Sequence, residues 1–526
     1  MVVPELRSWR AVRPRIARVA DTVRPRLTRV AAAARPRVTR LVRAATAQVT
    51  GVRTWPYTAG ATVVGLALAA GAVTVAGPWD SSGQRTAERD RAAAAERAGG
   101  VRHERAPGRS GSAAGAPRPA PSAASVLTGL GAETVRAAPN GPALASVLDP
   151  VVSDPALGTR RAASVVDLAT GGQLYGSATG DTFTPASTTK IATAVAALAA
   201  LGPDHRLTTR AAYEPDTGEL VLVGGGDPTL TAREDADGWA SLRTLAADTA
   251  AALAERDVRE VTLSYDTTLY AGSDLHPIGV NDNLARVTAL MADEARTDDS
   301  TRGPVYRVPD PAADATRAFA GFLKDHGVTT SAPGPSKATT RADTLATVSS
   351  PPLSALVERM LTNSDNDLAE ALARHTALAS GERPDFDGAA RAIHARLAKL
   401  GLPLTGAVFK DGSGLNREDR LSASLLTALL ATAADPGHPE LRPALTGLPV
   451  AGFTGTLSGR YTDGAAGVVR AKTGTLTGVN TLAGTVVAAD GRLLGFAFLA
   501  EGTTDPTAAQ TALDRAATAL AACGCR

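Results

Sequence analysis

Ser187-Thr188-Thr189-Lys190 sets a hydroxyl and an amine three residues apart, at the start of the apolar run "IATAVAALAALG". On a helix that spacing puts both groups on one face, close enough for direct proton transfer. A serine hydroxyl is a poor nucleophile until a neighbour takes its proton, and a lysine amine does so only when burial or another cation lowers its pKa. Taken alone, the pattern equally describes an N-cap serine followed by a surface lysine. The chain, however, has only six lysines against 49 arginines, and this is its only Ser-x-x-Lys. Arginine, permanently protonated, cannot act as a base. A second group, Ser364-Asp365-Asn366, lies in "MLTNSDNDLAEAL" at the mouth of a predicted helix, where all three residue types also serve as caps. A third, Lys472-Thr473-Gly474 with Thr475, lies on a predicted strand, "VVRAKTGTL". There the cation and hydroxyls face a cleft and the glycine admits a substrate backbone, or the lysine is simply exposed before a turn.

These residues need elements to hold them. "AASVVDLATGGQLYGSA" reads as two alternating strands joined at Gly171-Gly172, and the Ser187 segment as a helix ended by Gly202-Pro203. Toward the other end, "GVVRAKTGTL", "NTLAGTVVAAD" and "RLLGFAFLAEG" read as successive strands, the last two joined at Asp490-Gly491, with a final helix over 506–522 behind Asp505. Strands at both ends with helices between them predict an α+β domain whose sheet is closed by its own termini.

At 526 residues and 44% hydrophobic content the chain has room for a multidomain globular protein. Residues 1–53 carry thirteen arginines against Glu5 and Asp21, a net +11, so the remainder is at −8. Arg-Pro-Arg recurs there every eleven residues, at Arg13-Pro14-Arg15, Arg24-Pro25-Arg26 and Arg35-Pro36-Arg37. This suits short basic turns on anionic lipid or a solvated arm; no aromatic platform or recognition motif supports nucleic-acid binding. Residues 54–79 hold no charge, and Ala59–Gly77 is flanked by Trp55, Tyr57 and Trp79. That length fits one transmembrane helix, and the upstream arginines keep the N-terminus cytoplasmic and place the rest outside. An uncleaved anchor is favoured over a cleaved signal, for which Ala70-Gly71-Ala72 would be the processing site. Residues 80–125 are a Pro-, Gly-, Ser- and Ala-rich spacer reaching about 35–40 Å as a flexible coil. Cys523 and Cys525, the only cysteines, cannot organise a fold and read as incidental thiols. The seven histidines show no ligand spacing, so neither a metal nor a cofactor is expected.

The order Ser-x-x-Lys, Ser-x-Asn, Lys-Thr-Gly, each in its expected element, is the established signature of serine β-lactamases and penicillin-binding proteins. With "GGGDPTL" at 224–230, "DGSGLNR" at 411–417 and "LPVAGFTGTLSGR" at 448–460, residues 140–522 resemble the D-alanyl-D-alanine carboxypeptidase/endopeptidase family, the class C low-molecular-mass penicillin-binding proteins. The resemblance implies a penicillin-binding-protein-like transpeptidase fold at 126–206 and 346–526. The 174 positions from Lys190 to Ser364 leave room for inserted accessory domains at 207–345. It also implies a penicillin-sensitive hydrolase acting on peptidoglycan stem peptides, with β-lactams as covalent inhibitors. Ser187 is then the nucleophile, Lys190 its base and Ser364 the proton relay. Asn366, Lys472, Thr473, Gly474 and Thr475 bind substrate, Lys472 as a positive charge. A β-lactamase-like hydrolase and a non-catalytic sensor of β-lactams or the cell wall are the alternatives. Asp411 and Ser413 also look site-like, but a Gly-Ser-Gly turn explains them and they stay unassigned.

Overall fold

The protein's structure is a computed structural model and describes residues 141–461 and 464–524. The basic arm, the apolar segment at 54–79 and the spacer at 80–125 lie outside the described residues. No described helix is long and apolar enough to cross a membrane.

Helix α1 (Gly141–Val152) leads into a hairpin of strands β1 (Arg160–Asp167) and β2 (Gln173–Ser177), with Gly171 at φ 70° in the predicted reversal. Side chains of β1 alternate between two cores, Ala162 and Val166 to one and Ala163 and Val165 to the other, as the period of a strand requires. Strand β3 (Thr182–Phe183) is followed by a 3-10 turn, Ala186–Thr188, and helix α2 (Thr189–Leu201). Residues 189–198 of α2 are all buried. The helix is apolar all round because other elements enclose it, and whatever stands at its N-terminus is drawn into the interior with it.

Next comes a separate unit: β4 (Thr208–Glu214), β5 (Glu219–Val223), α3 (Leu242–Ala254), β6 (Glu260–Asp266), α4 (Pro311–Asp325), β7 (Thr329–Thr330), β8 (Gly334–Pro335) and β9 (Asp343–Ser349). Its strands run in the order β7-β6-β5-β4-β9, with β8 also on β6 and α3 crossing between parallel β5 and β6. Leu220, Leu245, Leu263 and Phe319 belong to an apolar cluster of its own. Its last strand runs on to Ser349, through the boundary expected at 345. Between β6 and α4 the chain returns Leu290 to this cluster and also lies against the first unit, where the Ala271 N–H donates to the Pro384 carbonyl at 3.0 Å.

Helices α5 (Leu353–Asn363), α6 (Asn366–Ala379) and α7 (Phe386–Lys399) resume the first unit, followed by β10 (Leu421–Ser422), which pairs with β3, then α8 (Ala423–Ala434) and α9 (Pro443–Thr446). Strands β11 (Val469–Leu476), β12 (Val479–Val487) and β13 (Leu493–Glu501) and helix α10 (Pro506–Ala522) complete it. The sheet order is β11-β12-β13-β1-β2. Strand β1 pairs antiparallel with β13, Arg160 opposite Glu501 through Asp167 opposite Leu494, so the sheet is closed by the two ends of the folded chain, as predicted. Cys523, at the end of α10, is disulfide-bonded and not the incidental thiol expected.

The insert meets α6 at His375, whose ring stands edge-on to Tyr270 at 5.9 Å. Gly226, at φ 74°, leaves the space: a Cβ there would come within 2.4 Å of His375 Nε2. Burial, helped by His205, pushes the imidazole pKa down to about 4 from an ordinary 6.5. The folded state therefore binds fewer protons than the unfolded chain between those values. Stability is complete above pH 6.5 and is lost as pH falls through this window, by about 3 kcal/mol at full loss. Urea unfolding at pH 6.5 and pH 4 should show wild type losing about 3 kcal/mol more than His375→Gln; equal losses would remove the assignment. The comparison cancels Asp227 and Asp367, whose pKa values burial pushes up to about 6 and which act in the opposite direction.

Candidate active site

Ser187 sits on the 3-10 turn that opens α2, directly after Ala186, which adopts φ 48° without being a glycine. Such backbone is costly and persists only where its surroundings hold it. Here the Pro185 carbonyl accepts from the hydroxyls of Thr188 at 2.6 Å and Thr481 at 2.9 Å. One turn on, Lys190 is fully buried, and its Nζ donates to Ser187 Oγ at 3.1 Å, Asn366 Oδ1 at 2.7 Å and the Ser413 carbonyl at 2.7 Å. Three N–H groups thus meet three acceptors. Burial pushes its pKa down to about 8, against the opposing pull of Asp411, Glu370, Asp365 and Asp367.

Ser364 ends α5 in a left-handed conformation, φ 59°, while Asp365 caps α6 by accepting from the Leu368 N–H at 3.0 Å. All three line the cleft, but their bonds are divided: Asp365 caps the helix, whereas Asn366 accepts from Lys190 and Ser364 from Lys472. Lys472, also fully buried, donates to Ser364 Oγ at 2.9 Å and to the Thr473 carbonyl at 2.7 Å. Burial first, then Lys190 and Arg460, push its amine well below the ordinary lysine range. Two buried ammonium groups serving one site oppose each other's charge.

Strand β11 is the edge of its sheet. Its outer side is covered at the start, where the Ala451 N–H donates to the Val469 carbonyl and the Ala471 N–H donates to the Pro449 carbonyl. Because both polar groups of a residue in an antiparallel strand point to the same side, those of Thr473 and Thr475 also point outward. Thr475 is exposed and shares the cleft wall with Ser187, and Thr473 Oγ1 donates to Thr456 Oγ1 at 3.0 Å. At Gly474 a packing requirement joins the expected approach of substrate. A Cβ there would lie 2.1 Å from Thr481 Oγ1 and 2.8 Å from the Pro185 carbonyl, so the glycine lets the strand press against the nucleophile's own turn.

All eight residues nominated from sequence converge here. The insert supplies a wall that sequence reasoning missed: Asn283 and Arg302 join Ser187, Ser364, Asn366 and Thr475 around a cleft of about 220 Å³ open to solvent. The Asn283 carbonyl accepts from Asn366 Nδ2 at 2.9 Å, and the Ala285 N–H donates to Asp367 at 2.9 Å. Arg307 pairs with Asp367 at 2.9 Å, Arg296 with Glu294 at 2.8 Å, and Arg359 with both Glu294 and Asp365. Asp293, Glu294 and Ala295 are three successive non-glycine residues at positive φ, a strained backbone that this ion-pair network holds. The only signal in the sequence was the length of the gap between motifs. Among the described residues, His276/Glu370/Asp411 and Glu294/Asp365/Asp367 have the proximity of metal ligands. The carboxylates of both groups are already engaged by N–H donors and arginines.

A model of the D-Ala-D-Ala carboxypeptidase 3 (S13) family matches residues 144–301 and 296–522. Carboxypeptidase DacB of Mycolicibacterium smegmatis is 36% identical over 436 residues, which cover 80% of this chain and 92% of that protein. A D-alanyl-D-alanine carboxypeptidase of an Actinomadura species is 30% identical over 470 residues, covering 72% and 85%. Among solved structures, penicillin-binding protein 4 from Haemophilus influenzae shares the fold at a TM-score of 0.57 and 21% identity, covering 72% of this chain and 98% of that one. The same protein complexed with a β-lactam gives a TM-score of 0.54 at 24% identity, covering 70% and 97%. Sequence match along both halves of the discontinuous first unit, shared fold and converging motifs agree: the chain belongs to the D-Ala-D-Ala carboxypeptidase 3 (S13) family.

Proposed function

We propose that the protein is a serine-type D-Ala-D-Ala carboxypeptidase, and an endopeptidase where the leaving amine is a cross-linked donor, acting on peptidoglycan stem peptides and acylated by β-lactams. The observation that carries this reading is a fully buried lysine with its Nζ 3.1 Å from the Ser187 hydroxyl oxygen. With its proton released, Lys190 keeps two N–H groups on Asn366 and Ser413, which aims its lone pair at Ser187. Ser187 attacks the carbonyl of the penultimate D-Ala while Lys190 takes its proton. The N–H groups of Ser187 and Thr475 receive the oxyanion, each worth roughly 3–4 kcal/mol to the transition state. On collapse the C–N bond breaks, Ser364 relays to the leaving amine the proton that Lys190 had taken, and water then hydrolyses the ester. Asn366 holds the peptide amide; Thr473 and Thr475 hold the substrate carboxylate, whose charge restores the ammonium of Lys472. Incubation with diacetyl-Lys-D-Ala-D-Ala should release D-Ala catalytically. A protein that only opens β-lactams, or only binds them, would release none.

In the same reading, residues 54–79 anchor the protein in the membrane with residues 1–53 in the cytoplasm, and the spacer at 80–125 holds the enzyme outside. What supports it is the charge asymmetry across an uncharged segment of spanning length. Protease added to intact spheroplasts should digest the catalytic part and spare a tag at residue 1. Loss of that tag with survival of a C-terminal one would reverse the topology.

A further inference from the structure

The loop Asp411–Asn416 packs directly on the nucleophile's turn: Gly414 stands at φ 80°, and a Cβ there would lie 1.9 Å from the Ala186 carbonyl oxygen. Two buried carboxylates gather its N–H groups. Glu370 accepts from Gly412 at 3.1 Å and Ser413 at 2.9 Å, and Asp411 from Gly414 at 2.6 Å and Asn416 at 2.7 Å. With the N–H groups turned inward, the carbonyls turn outward, Gly412 to Thr193 Oγ1 and Ser413 to Lys190 Nζ, both at 2.7 Å. From the insert, His276 reaches Asp411 Oδ2 at 3.0 Å with Nε2. Its Nδ1 accepts from the Ile278 N–H at 3.2 Å, so the proton stands on Nε2 and is donated to Asp411. The side chains of Glu370, Asp411, Thr193, Lys190 and His276 are all essentially excluded from solvent.

We infer that Asp411, Glu370 and the insert's His276 are positioning residues for the general base: they lock this loop so that the Ser413 carbonyl orients the Lys190 amine toward Ser187. The inference rests on the reading of Lys190 as the base. An amine that keeps two N–H groups on fixed acceptors has one direction left for its lone pair, and Ser413 is one of those two acceptors. Freeing the loop misaims the lone pair and also removes an acceptor that favours the ammonium. The charged groups facing Lys190 are Asp411 and Glu370 on the loop side, Asp365 and Asp367 at the start of α6, and Lys472 from β11. Burial works against the Asp411 charge, but hydrogen bonds from His276 and Asp419 outweigh it and hold this carboxyl below the ordinary range. The insert thereby takes part in setting the base.

The test is the stopped-flow rate of acylation by a fluorescent penicillin from pH 6 to pH 10, with the labelled fraction counted by intact-protein mass. In wild type the rate should rise with pH as Lys190 loses its proton. His276→Phe keeps the packing on Phe386 and removes the donor. It should lower the plateau roughly tenfold and move the rising limb down by about half a pH unit. His276→Gln, which restores a donor, should recover the limb and a plateau within about threefold of wild type. Asp411→Asn should lower the plateau roughly a hundredfold and move the limb down by about one unit. If Asp411→Asn does not melt cooperatively, the histidine pair decides alone. A reduced labelled fraction with rate and limb unchanged would show a merely structural role and overturn the inference, as would a phenylalanine variant like wild type. Lys190→Arg is measured in parallel. If it acylates normally, the reading of Lys190 as base fails; if it is inert while the loop variants match wild type, only the positioning inference falls.

Discussion

Ser187→Ala should leave the protein dark after incubation with a fluorescent penicillin, a loss of about 10⁴-fold or more in acylation rate. The substitution removes one oxygen atom and little else. Ala186 keeps its strained backbone, Pro185 keeps its two hydroxyl donors, and α2 still runs from Thr189 to Leu201. The N–H groups assigned to the oxyanion also remain, so reversible binding of the β-lactam should survive while the covalent bond does not. Denaturing gel fluorescence separates the two, because only an ester withstands denaturation. Equal labelling of the alanine variant would place the nucleophile elsewhere.

The two motif lysines should answer the same substitution differently. Arginine at 190 cannot give up a proton inside a protein, so Lys190→Arg should lose on the order of 10³-fold in acylation by peptide and penicillin alike. Arginine at 472 retains a donor for Ser364 and a charge for the substrate carboxylate. Lys472→Arg should therefore acylate about 10- to 100-fold more slowly than wild type, or about 1.4–2.7 kcal/mol of transition-state stabilisation. In wild type the rate should climb as pH rises through about 8, where Lys190 becomes neutral. Equal losses in the two variants, or a Lys190→Arg protein as fast as wild type, would end this division of roles.

Some of the site was legible because its chemistry depends on residue type at short range. Ser187 and Lys190 are three positions apart on a helix whose start and stop are local signals, and Ser364 and Asn366 flank a cap that any helix of this kind requires. Other parts have no local signature. The partner of Lys190 at Ser413 is a backbone carbonyl 223 positions away, and a carbonyl is the same on every residue. Asn283 likewise enters through its carbonyl. Gly474 is singled out by sequence for the approach of a substrate; the packing that also requires it, against Thr481 on the paired strand and Pro185 on the nucleophile's turn, has no such signal in the local sequence. Asp411 stands out in the sequence, but a turn explains it equally well; only the fold brings Glu370 from α6 and His276 from the insert onto the same loop.

By itself, then, the sequence determined the order of the strands and helices that end the domain, the three motifs and the chemistry they permit. Periodicity, caps and turn residues act over a few positions and need no partner from elsewhere. Only the tertiary structure decided the electrostatics. Lys190 and Lys472 are ordinary lysines until α2, β11, the Asp411 loop and the insert close around them. Exclusion of water then shifts both amines down, against the pull of nearby carboxylates at Lys190 and together with the charges of Lys190 and Arg460 at Lys472. Burial is a property of the assembled fold, because removing a charge from water takes atoms on every side of it, and those atoms come from segments that no local pattern connects.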